Sequence, residues 1–171
     1  VQPLLDAVIR YLPSPDEREI KARKVNDETQ KIALKPDPAE PFVGMAFKIV
    51  EDPYGQLTFL RVYQGKVNKG EMYVNQRTGR KDRFSRIVRM HADDREEIDS
   101  AEAGDIVAIM GIDCASGDTY AAERDYCSLE SMFVPEPVIK VSVTPARADS
   151  DKMVKALQRF LDHIEKHDRV W

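Results

Sequence analysis

Cysteine is nearly absent: the 171 residues hold two, Cys114 and Cys127. Two thiols are too few for a disulfide framework, and their spacing does not suit a metal. Two free, inert thiols in a reducing compartment are the expectation. No apolar run approaches the ~20 residues that a membrane-spanning helix needs, so no membrane partner is expected. The opening "VQPLLDAVIRYLPSP" has no basic leader and carries Asp6, and so does not read as a secretory signal. Excess positive charge is missing too. The net charge of −4 supplies no general attraction to nucleic acid, and 33% charged with 42% hydrophobic residues suits a globular chain.

Two absences divide the sequence. Glycine is missing before Gly44 and after Gly117, while only Pro53 of the ten prolines falls inside that window. Glycine serves tight turns and proline clusters punctuate connections, so boundaries are expected near "KPDPAEP" (35–41) and "VPEP" (134–137). Three units follow: 1–40, 41–134 and 135–171.

The first unit predicts a helix started by Pro3, with Leu5, Val8, Ile9 and Leu12 on one face and Pro13 ending it. Residues 14–40, mostly charged, read as a linker or an unresolved strand pair. The middle unit alternates short Val/Ile/Phe/Tyr-rich runs ("FVGMAFKIV", "QLTFLRVYQ", "EMYVNQ", "RFSRIVRM", "DIVAIMGI", "YCSLESMFV") with turn signals ("DPYG", "GKVNKG", "RTGRK", "CASGD"). That spacing predicts a mainly β unit, an antiparallel barrel or sandwich. The last unit predicts a strand, "VIKVSV", then a helix capped by Asp149 or Ser150, with Met153, Leu157, Phe160, Leu161 and Ile164 as its stripe. One strand and one helix close no core, and Val1 is not a methionine; a piece of a longer chain is expected.

The chemistry-bearing stretches mostly reduce to structure. "AGDIVAIMGIDCASGDTY" (103–120) has the glycines of a phosphate loop, but aspartates follow them and no lysine is near. Asp113 and Asp118 do not match a calcium loop, and Cys114 has only acids close by, so two strands and their turn are expected. His163 and His167 in "HIEKH" stand one helical turn apart, yet Ile164 occupies the place where a zincin has glutamate. "DDREEID" (93–99) reads as a solvated acidic loop. No catalytic, cofactor or metal residue is expected in the chain.

A charge contrast is the exception. Residues 77–90 carry six bases (Arg77, Arg80, Lys81, Arg83, Arg86, Arg89) against Asp82, whereas 92–105 carry seven acids against Arg95. A hairpin tip "RTGRKDR" can offer guanidinium groups to a phosphate backbone. Equally, adjacent basic and acidic strands can pair with each other, at roughly 0–1 kcal/mol per exposed pair. Charge alone leaves both open.

Together these residues resemble the elongation factor G family of ribosomal translocase GTPases. "PFVGMAFKIVEDPYGQLTFLRVYQGKVNKGEMYVNQRTGRKDRFSRIVRMHADDREEIDSAEAGDIVAIMGIDCASGDT" is similar to its second domain, and "MFVPEPVIKVSVTPARADSDKMVKALQRF" to the junction into its third. "VQPLLDAVIRYLPSP" resembles the last helix of its GTPase domain, and "GIDCASGDT" the mitochondrial-type branch, which also occurs in bacteria. The resemblance implies a six-stranded translation-factor barrel that packs on the GTPase domain and rests on small-subunit ribosomal RNA. The βα unit would open a ferredoxin-like third domain. It also implies GTP and Mg2+ for the parent protein but none here, since the phosphate loop and Asn-Lys-x-Asp motif are absent and Asn68-Lys69 lacks the aspartate. This stretch is therefore expected to be inactive alone, a monomer, and at work in the bacterial cytoplasm, or else the mitochondrial matrix. The RNA-facing reading then favours Arg77, Arg80, Lys81 and Arg83, followed by Arg86, Arg89 and His91. After Phe160 the sequence departs from the family pattern, and no role is carried there. Two rivals remain: the barrel of a ribosome-protection or release factor, and a stand-alone single-stranded nucleic-acid-binding barrel. The latter stacks bases on aromatics, whereas Tyr54, Phe59, Tyr63 and Tyr73 are spread among strands.

Overall fold

The computed structural model describes residues 1–52, 55–92, 94–129, 142, 144 and 151–158. Helix α1 (Gln2–Tyr11) starts with proline in its first turn and ends where Leu12 turns extended (φ −93°, ψ 133°), the conformation that a following proline imposes. Its apolar face is bare: Leu5 is 55% exposed and Ile9 82%. The strands follow in chain order: β1 (Ile20–Lys24), β2 (Asp27–Leu34), β3 (Val43–Asp52), β4 (Gly55–Gln64), β5 (Lys66–Asn68) and β6 (Met72–Asn75). Then come β7 (Lys81–Arg83), β8 (Ile87–His91), β9 (Asp94–Ile98), β10 (Ser100–Glu102), β11 (Ile106–Met110) and β12 (Thr119–Ala121). Residues 151–158 are helical, as expected. The expected strand "VIKVSV", the "VPEP" boundary and His163 and His167 lie outside the described residues.

The main sheet is antiparallel, in the order β7-β6-β12-β3-β4-β11-β8-β9. The expected β framework is present, with an edge strand at each end bringing the count to eight. Connectivity shows that this sheet curls. β7 and β8 stand first and seventh in the order, which in a flat sheet would put them about 29 Å apart at ~4.8 Å per strand. Yet only residues 84–86 join them, a link reaching at most about 14 Å. The short pair β5–β10 lies between the two ends, and Lys69 N–H donates to the Asp99 carbonyl beside it (2.8 Å).

Alternation along β4 explains the layers. Leu60, Val62 and Gln64 are buried, while Phe59, Arg61 and Tyr63 face outward and are half-buried. The inward set joins Val67, Ile87, Val107 and Ile109 around an aromatic cluster. There Phe42 meets Tyr73 at 4.5 Å between ring centres, Tyr73 meets Phe84 at 4.8 Å, and Phe84 meets Tyr120 at 5.2 Å in an edge-on contact.

One open sequence reading is resolved and one is corrected. Of the two alternatives for residues 14–40 the strand pair holds: β1 and β2 form a hairpin whose Ala22 and Leu34 pack with Val43, Met45, Ala121 and Cys127 on the outside of the sheet. Segment 94–98 is not an acidic loop but the strand β9, in register with β8 from Ile87↔Ile98 to His91↔Asp94. An open strand edge must satisfy its backbone groups, and here that demand outweighs the poor strand propensity of the acids.

Candidate nucleic-acid interface

The fold distributes the basic run between two strands, β7 and β8, which the curl of the sheet keeps within reach of each other. Arg86, Arg89 and His91 lie on or beside β8, against the acidic β9. Arg86 Nη2 is 3.5 Å from Glu97 Oε2, His91 Nε2 is 4.0 Å from Glu96 Oε2, and Arg89 stands opposite Glu96 in register. For Arg86 and His91 the internal-pairing reading describes the geometry, whereas Arg89 has no ion-pair or hydrogen-bond partner among the described residues. Arg80, Lys81 and Arg83 lie at the other end of the sheet order, on or beside the edge strand β7.

Side-chain alternation fixes how β7 presents its charges. Asp82 points inward, where the Tyr120 hydroxyl donates to its Oδ2 at 2.9 Å. Lys81 and Arg83 therefore share the outward face, both exposed. The Lys81 ammonium has no hydrogen-bond or ion-pair partner among the described residues. Arg80, its side chain 68% exposed, has an ion-pair partner in Asp113 Oδ2 at 3.9 Å, as close as His91 stands to Glu96. Arg83 Nε donates to the Gly70 carbonyl (3.0 Å), which extends its guanidinium along an open cleft of about 530 Å³. Lys69, Ser85 and Asp99 line the same cleft. Lys69 is already matched there, 2.5 Å from Glu97 and 4.0 Å from Asp99, and the Glu97 hydrogen bond raises its pKa.

Arg77 differs from the other bases. Its side chain is only 25% exposed, and it makes a two-pronged contact with the buried Asp118: Nε to Oδ1 at 2.5 Å and Nη2 to Oδ2 at 2.8 Å. Those bonds raise the Arg77 pKa above its ordinary value. Asp118 Oδ2 also accepts from Asn75 Nδ2 (2.7 Å) and from the Ala115 N–H (2.9 Å). No sequence signal pointed to this role, because Arg77 and Asp118 are 41 residues apart and only the β6–β12 register unites them.

The glycine-bearing loop 111–118 is thus filled by its own carboxylate. Its Ala115 N–H serves Asp118 and is not held open for a phosphate, so these residues do not fit a nucleotide. Among the described residues there is no cluster of three or more metal-ligating side chains. Burial lifts both thiols, Cys114 and Cys127, to pKa values of about 12, which suits inert core residues. Tyr73 is a core residue whose hydroxyl bonds Glu71 and the Asn68 N–H. The outward aromatics Phe59 and Tyr63 lie four strands from β7, about 19 Å along the sheet. No stacking platform adjoins the basic edge among the described residues.

Residues 55–121 match the family model of elongation factor Tu domain 2. Elongation factor G of Rhodopirellula baltica is 69% identical over 161 residues, 94% of this chain and 23% of that protein. This chain is an elongation factor G homologue. Elongation factor G 2 of Bdellovibrio bacteriovorus is 48% identical over 161 residues, and mitochondrial elongation factor G of Anopheles gambiae 47% over 166. Each alignment takes in 94% of this chain and 23% or 22% of the relative, so the homologue spans under a quarter of their length. A solved structure from Thermus thermophilus shares the fold, with a TM-score of 0.68 at 24% identity over 95% of this chain and 22% of that one. The translation-factor reading thereby displaces the stand-alone barrel.

Proposed function

We propose that this homologue serves as the RNA-contacting, domain-coupling barrel of a translational GTPase that moves tRNA and mRNA through the ribosome. In this reading GTP and Mg2+ are handled by another part of the parent protein, and small-subunit ribosomal RNA is the partner. Bacterial cytoplasm is the compartment that goes with the Rhodopirellula relative. The observation that carries the reading is the edge strand β7, which holds Lys81 and Arg83 on its outward face with no acid paired to either among the described residues, beside Arg80. Backbone phosphates are the ligand such a row suits, because guanidinium and ammonium groups position a phosphate chain without reading its sequence.

The test is binding of the chain to purified small ribosomal subunits between 50 and 200 mM salt. Each phosphate neutralised contributes about 0.7–0.9 to the slope of log K against log salt. Arg80→Gln, Lys81→Gln and Arg83→Gln together are expected to flatten that slope by about 2.1–2.7. Arg86→Gln, at a guanidinium already paired with Glu97, is expected to leave it nearly unchanged. The opposite ranking would overturn the assignment of the interface to β7.

A further inference from the structure

We propose that Asp118 and Arg77 are a positioning pair for the RNA-contacting edge: the carboxylate clamps the turn 75–80, and that clamp, rather than a contact from Arg77 to RNA, sets where Arg80 and Lys81 stand. The inference rests on the ribosomal-RNA reading above.

The turn is ordered by Asn75, itself fully buried. Its Oδ1 accepts from the Arg77 N–H (3.0 Å) and the Thr78 N–H (3.1 Å), its carbonyl from the Gly79 N–H (2.8 Å), and its own N–H donates to the Arg80 carbonyl (2.9 Å). An amide side chain can flip and exchange its oxygen for its nitrogen. What holds Asn75 with oxygen toward the turn is the bond from its Nδ2 to Asp118 Oδ2. Asp118 therefore orients Asn75, and Asn75 orients the backbone leading into β7. Arg77 completes the arrangement by neutralising a carboxylate only 4% exposed. To reach a phosphate, Arg77 would have to abandon that buried charge, which is strongly unfavourable. Its planar two-pronged fork matches a carboxylate as a lysine ammonium does not.

Asp118→Asn separates the possibilities by sign. The substitution removes a negative charge close to the interface, so bulk electrostatics alone would tighten RNA binding, as would release of Arg77 toward a phosphate. Positioning makes the same substitution weaken binding, with the salt slope on small subunits flattening by up to about 1.4–1.8 as Arg80 and Lys81 lose their phosphates. Arg77→Gln is expected to do the same, and the double variant no worse than the poorer single. Arg77→Lys keeps the charge but not the fork; it weakens binding if the pair positions and changes nothing if only charge counts. Hydrogen exchange supplies a readout independent of RNA. The Arg77 and Thr78 amides should exchange faster in Asp118→Asn while those of β4 keep their protection. Tighter binding by Asp118→Asn, or wild-type binding by Arg77→Lys, would overturn the inference and leave the β7 interface intact. A wild-type slope in Arg80→Gln/Lys81→Gln would instead overturn the interface and the inference together.

Discussion

Two glycines in left-handed conformation permit a controlled test of how the β framework is held. Gly65 (φ +73°) links β4 to β5, and Gly70 (φ +84°) lies in the turn before β6. Alanine at either position costs about 1–2 kcal/mol for the backbone conformation, partly offset by about 0.4–1 kcal/mol from a less flexible unfolded chain. At Gly70 nothing lies within 4 Å of an added methyl, so Gly70→Ala should cost about 1 kcal/mol or less. At Gly65 the methyl would run into the Glu40 carbonyl oxygen and come within 2.7 Å of Phe42 N and 2.8 Å of Phe42 Cα. These are backbone atoms and cannot rotate away. The Gly65 N–H also donates to the Asp37 carbonyl (3.0 Å), and its carbonyl accepts from the Ala103 N–H (3.1 Å), so the chain is fixed on both sides. Adding overpacking of roughly 1–3 kcal/mol gives about 1–4.6 kcal/mol for Gly65→Ala, more than for Gly70→Ala by the overpacking alone. Urea unfolding followed by far-ultraviolet circular dichroism measures both variants. Equal destabilisation of the two would refute the argument, since it would mean that the approach of residues 40–42 to Gly65 does not constrain the fold.

Two further outcomes follow from the core. Phe84→Ala removes a fully buried ring lying between Tyr73 and Tyr120, and urea unfolding should show a loss of about 3–5 kcal/mol. Cys114 and Cys127, with pKa values lifted by burial from 9.0 to about 12, should resist a thiol reagent at pH 8 until the chain is unfolded, when both react. Because the folded pKa lies above the unfolded one, this contribution is complete below about pH 9 and lost as pH rises toward 12. A Cys114→Ala/Cys127→Ala chain should accordingly show a flatter loss of stability over that window.

Strands β3, β4, β6 and β11 were legible because each is a short run rich in apolar and aromatic residues bounded by turn residues. The stretch 103–120 divides into β11, a loop and β12, as its apolar run and glycines suggest. The hairpin β1–β2 was obscured by its own surface: Ile20, Ala22, Ile32 and Leu34 face the sheet, and the exposed Lys21, Arg23, Lys31 and Ala33 alternate with them. β9 had still less signal, since four of its five residues are charged and exposed. It is a strand because β8 needed a partner for its backbone, a requirement that arises elsewhere in the chain.

The same distinction governs the interface. Composition showed a basic run beside an acidic run, and contiguity made them look like one feature with one role. The break at residues 84–86 divides the run, placing Arg86, Arg89 and His91 against β9 and leaving Lys81 and Arg83 on an open edge. Arg77 belongs to neither group, although it opens the run. Its partner lies on the loop before β12, and the pairing exists only because β12 inserts between β3 and β6. Net charge over a stretch therefore measures how many cations are available, while strand order determines which are already matched. By that criterion the acidic whole and the basic edge do not conflict: Glu97 pairs with Arg86, Glu96 with His91 and Asp118 with Arg77. Lys81, by contrast, has no acid partner among the described residues and Arg83 bonds the Gly70 carbonyl, which is why the proposed interface is centred on β7.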